Sequence, residues 1–99
     1  MKIEAGEIYT IKLATGEEVV AKVTSVGPTE LTIASPILCA LTPQGLQMMP
    51  SLFSANQDKP VKLNNNGWIM ITEPRDDVRN SWIQATTGIA PVTKQIITG

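Results

Sequence analysis

Few residues in this chain have the types and spacing for chemistry. They are Lys62 with the run Asn64-Asn65-Asn66-Gly67, the carboxylate pairs Glu17-Glu18 and Asp76-Asp77, the lone Cys39, and four aromatics, Tyr9, Phe53, Trp68 and Trp82. Amide side chains can hydrogen-bond an unstacked base, and aromatics spaced along a groove can stack one. Lys62, Asn64, Asn65 and Asn66 are therefore the candidate nucleic-acid contacts. The competing reading is simpler: an Asn-Gly-rich run is ordinary hairpin-turn chemistry, with Trp68 in a strand core and Trp82 on a helix stripe. The turn reading is preferred.

Catalysis finds little support. Histidine is absent, which removes the commonest general base and metal ligand and every Ser-His or Cys-His arrangement. One cysteine without histidine makes no zinc set, and no phosphate-cradling glycine motif is present. Glu17 and Glu18 are neighbours on a predicted strand and so point to opposite faces. Asp76 and Asp77 suit the positive end of a helix. Neither an enzyme nor a cofactor is expected.

The chain has 99 residues, 42% apolar and 17% charged, which fits one folded domain rather than a disordered chain. Eight basic residues stand against nine acidic ones and are scattered, so non-specific binding of duplex DNA is not expected. A single thiol cannot form an internal disulfide, and Cys39 in ILCAL reads as a small core residue in a reducing compartment. No apolar run approaches the roughly 18 residues of a membrane span, and residues 1–9 carry no signal-type apolar region. The expectation is a soluble cytoplasmic protein.

The elements that must position these groups are mostly strands. In residues 8–13, Tyr9, Ile11 and Leu13 alternate with Thr10 and Lys12; in residues 19–26, Val19, Ala21 and Val23 alternate with Val20, Lys22, Thr24 and Val26. Period two predicts a strand pair, and Thr15-Gly16 between them supplies the positive φ that a hairpin needs. Gly27-Pro28-Thr29 marks the next turn, and residues 30–41 read as strand character interrupted by a bulge or edge at Pro36. Residues 46–53 read as a strand weakened by Pro50, and residues 54–60 as a polar loop. Residues 61–72 read as strand, tight turn, strand. After Pro74 the period changes: Val78, Trp82, Ala85 and Ile89 form the stripe of an amphipathic helix over roughly residues 74–88, with Gly88 as its stop. Residues 89–99 read as tail.

The stretch from Tyr9 to Val26 resembles the opening strands of the Sm and Sm-like family: alternating apolar positions, a Gly-ended turn, and a small residue, here Ala21, where that family usually has Gly. Residues 61–71 are similar to the second Sm motif, and the resemblance covers roughly residues 8–72. A helix after the barrel is also similar to small Sm-like proteins of tailed phages. The resemblance implies a strongly bent five-stranded barrel whose copies join edge to edge into six- or seven-membered rings that bind RNA. The matching stops at the pocket. Gly27-Pro28-Thr29-Glu30 stands where the family carries an Asp and then an Asn, and Leu63-Asn64 or Asn64-Asn65 replaces its Arg-Gly. Residues 1–6 are too short for its leading helix.

The expected fold is thus mainly β: one domain holding a small five-stranded bent antiparallel SH3-like or Sm-like barrel over residues 8–72, with a C-terminal α-helix. An open barrel has two edge strands with unpaired backbone groups, and head-to-tail pairing of those edges closes a cycle if the rotation permits. Self-association into a ring that binds single-stranded RNA is the first functional expectation. A protein–protein assembly module with no nucleic-acid ligand is the alternative.

Overall fold

Strands β1 (Ile8–Leu13) and β2 (Glu18–Val26) form the expected antiparallel hairpin, with Ile11 opposite Val19 and Tyr9 opposite Ala21. At the corner Gly16 has φ +100°, a conformation in which a Cβ would be strained, and the Leu13 N–H donates to the Glu17 carbonyl. These coordinates are a computed structural model and describe residues 2–87. The helix stop at Gly88, the stripe position Ile89 and the tail lie outside the described residues.

Strand β3 (Glu30–Thr42) organises the rest of the sheet. β2 pairs along most of one side of it, so its other partners must use the opposite side. There β4 (Gly45–Pro50) pairs with residues 37–42 of β3, and β5 (Val61–Asn64) pairs with residues 30–33. Six strands therefore stand where five were expected, because one long partner of β3 is split in two by the loop 51–60. The split falls at the predicted interruption. Ser35 adopts φ 51°, the register with β2 shifts between Val20 and Lys22, and the Ser51 N–H donates to the Pro36 carbonyl as the chain leaves β4. Pro50 ends its ladder because proline has no N–H to give.

Residues 61–72 form the strand, tight turn and strand read from the sequence, but not as a paired hairpin. Strand β6 (Trp68–Thr72) does not pair with β5; it crosses to β1, with Ile71 opposite Ile11. A single 3-10 turn (Asn65–Gly67) redirects the chain between the two. The hydrogen-bonded path runs β4-β3-β2-β1-β6, with β5 on β3, so the bent sheet curls without closing.

Two apolar clusters follow from this curvature. Tyr9, Ile11, Val19, Ala21, Val23, Leu31 and Ile33 fill the inside, with Trp68 and Ile71 packed against them. The other face of the same strands carries Ile8 and Val20, flanked by Ile37, Cys39 and Met48, under helix α1 (Asp76–Thr87). Both faces of the hairpin are thus buried. On α1, Val78 and Trp82 are buried and Ile83 packs beside them, whereas Ala85, expected on the stripe, faces solvent. The Trp82 indole N–H donates to the Ser35 carbonyl at 2.8 Å, pinning the helix to the bend of β3. Pro74 precedes the helix. Asp77 accepts two hydrogen bonds from Arg75, which hold its carboxyl below the usual carboxylate range.

Candidate nucleic-acid interface and the sheet edges

The four candidate contacts are brought together at one end of the sheet, but the side chains of three of them, Lys62, Asn64 and Asn65, are already engaged. The 3-10 turn needs its first N–H groups capped, and Asn64 does this by accepting the Asn66 N–H at 2.7 Å. The Asn65 N–H donates to the Thr29 carbonyl at 2.9 Å, and its side-chain oxygen accepts the Trp68 indole N–H at 3.2 Å. Asn66 is exposed at the corner. On β5, the Lys62 ammonium lies 3.2 Å from the Glu30 carboxylate and donates to the Thr32 hydroxyl at 3.1 Å. That pair is exposed and contributes little to stability, yet it cancels the one positive charge of the set.

The aromatics are no better placed for stacking. Tyr9 and Trp82 are buried, and Trp68 is half-buried against the inner cluster with its indole engaged. Phe53 alone stands open, and it belongs to the loop after β4, away from the turn.

The remaining reactive types are equally constrained. Burial, and secondarily the charge of Glu18, pushes the Cys39 thiol up to about 11, so it stays protonated and weakly nucleophilic at neutral pH. Glu17 accepts a hydrogen bond from Thr15 in the hairpin turn. A cleft of about 400 Å³ opens between the N-terminal segment and the start of α1, with Glu4, Glu7, Glu73 and Asp76 on its walls beside Lys2 and Arg79. These residues come from separate segments, so no sequence motif announces the cleft. Among the described residues, no three histidine, cysteine or carboxylate side chains gather to hold a metal ion, and no helix is long and apolar enough to cross a membrane.

The sheet edges are the more distinctive feature. β4 and β6 end the hydrogen-bonded path, and among the described residues neither has a partner on its outer side. Edge strands are usually protected by charge, proline or a bulge. Here Leu46 and Met49 are exposed on β4. On β6, Ile69 and Met70 are 58% and 64% exposed. The β6 pair is open because the register against β1 slips between Lys12 and Leu13, making Ile69 an extra residue where strict alternation would turn one of the two inward. No charged residue occurs between Glu30 and Asp58, nor between Lys62 and Glu73. That gap was the sequence signal for the edges, and it shows only once the strands are placed. No protein-family model matches the chain, and no curated protein matches it.

Proposed function

We propose that this chain is a non-enzymatic, Sm-like module that assembles head to tail into a homo-oligomeric ring. One observation carries the reading: the sheet ends in two different edges, β4 and β6, each without charge and each with exposed apolar side chains. Different edges make a heterologous contact, and repeating such a contact gives a closed ring when the rotation closes. The native mass of the full chain tests this. A single cyclic species at micromolar protein supports the ring, and a monomer at every concentration removes it.

A ring of this kind has two candidate uses. The first is binding single-stranded RNA through the ends of the barrels, with Lys62, Asn64, Asn65 and Asn66 as contacts. The second is protein–protein assembly without nucleic acid. The Lys62–Glu30 pair and the structural duties of Asn64 and Asn65 favour the second, because an RNA contact would have to break bonds the fold already uses. Titration with uridine-rich and adenine-rich oligonucleotides at low salt separates them. Micromolar binding lost on Lys62→Ala supports RNA, and absence of binding leaves the assembly role.

A further inference from the structure

The loop that splits β4 from β5 exposes Leu52 and Phe53, the latter to 75% of its surface. The loop is held by hydrogen bonds of its own. The Leu52 carbonyl accepts both the Ala55 N–H at 3.3 Å and the Gln57 side-chain amide at 2.9 Å. The Asn56 side chain accepts the Asp58 N–H at 3.0 Å, and the Asn56 carbonyl accepts the Lys59 N–H at 3.1 Å. Ordering a loop costs conformational entropy, and among the described residues neither apolar cluster includes Leu52 or Phe53.

We infer that Leu52 and Phe53 form an apolar knob that docks against Ile69 and Met70 of a second copy. The inference rests on the ring reading and specifies its contact. Phe53 lies three residues beyond the end of β4 at Pro50, and β6 is the edge at the other end of the sheet path, so the two exposed groups belong to the two borders that an edge-to-edge contact joins. Leu41 and Leu46 are poorer candidates for the same contact. They lie at the hairpin tip, whereas Pro50 lies opposite Ile37 at the far end of β4.

The areas agree. Taking about 200 Å² for a fully exposed large apolar residue, Met49, Leu52 and Phe53 with Ile69 and Met70 offer roughly 560 Å². That is about half the lower limit of a specific interface, roughly 1,200 Å² in total, and the paired backbone edges and their neutral side chains supply the remainder. The absence of charge along both edges matches the charge-depleted centre of such contacts.

The test measures native mass and sedimentation of the full chain over a range of micromolar concentrations. Phe53→Asp moves the monomer-to-ring midpoint to a concentration about tenfold higher or more, and Ile69→Lys does the same. The double variant, which sets an aspartate against a lysine at every contact, returns the midpoint to near the wild-type value. Circular dichroism and melting temperature verify that each variant is folded, as expected for exposed positions. If the wild type assembles but Phe53→Asp assembles equally well, or the double variant does no better than the singles, the knob is wrong while the ring stands. If the wild type is monomeric throughout, the ring reading fails and the knob with it.

Discussion

Val23 and Val20 lie three residues apart on β2, both fully buried, yet they belong to different kinds of interior. Val23 sits in the inner cluster, which a curled sheet encloses from several directions. Val20 sits in the outer cluster, where one helix supplies the lid through Val78, Trp82 and Ile83. An interior wrapped by strands cannot collapse around a lost methyl group; one under a single helix can settle. The same burial therefore carries different energetic weight on the two sides of one strand.

Identical truncations are the strongest way to break that comparison. Val23→Ala removes the same atoms as Val20→Ala. Transfer alone costs about 1.5 kcal/mol in each case, and the unrelaxed cavity raises the inner loss to about 3 kcal/mol. Denaturant unfolding of the two variants measures the gap, and equal losses would abolish the distinction. A smaller effect sharpens it. Trp82→Phe keeps a ring over the outer cluster but leaves the Ser35 carbonyl without its donor, costing about 1–2 kcal/mol. Hydrogen exchange should then quicken in residues 76–87 and stay unchanged in β1 and β2.

The smallest effect is a pH dependence confined to the outer cluster. Cys39 has its folded pKa raised to about 11 from the ordinary 9.0, chiefly by burial and then by Glu18. The folded state therefore holds its proton after the unfolded state has lost it. The Cys39 contribution is unchanged below pH 9, and stability from this group falls between pH 9 and about 11. The loss is on the order of 1 kcal/mol, discounted because the thiol is only half-buried. Cys39→Ser removes this slope in melting temperature against pH and leaves the inner cluster untouched; a slope that survives the substitution assigns it to another group.

The opening hairpin was legible because alternation and a glycine corner act within a few residues. The helix was legible from Val78 and Trp82 for the same local reason, although the lid turns Ile83 rather than Ala85 toward the sheet. What failed was long-range. Residues 61–72 have the composition of a hairpin, and only the choice of partners, β3 for β5 and β1 for β6, shows that they are not one. The candidate site failed for a related reason. Asn64 and Asn65 look available as a run of amides, but their roles depend on Thr29 and on the 3-10 turn. The edges became visible only when strand order turned two uncharged stretches into the borders of a sheet.

The crossing of β6 to β1 also dictates an order of events during synthesis. β1 through β4 form a meander of neighbouring strands, so the first fifty or so residues can zip up as they leave the ribosome. Thr10 must then wait for Thr72, roughly sixty residues later, and until it arrives β1 is bare on one side. The nascent chain thus passes through a stage with an extra unprotected border. Slow translation through residues 43–67 would lengthen that stage, making this the interval in which misassociation is most easily provoked.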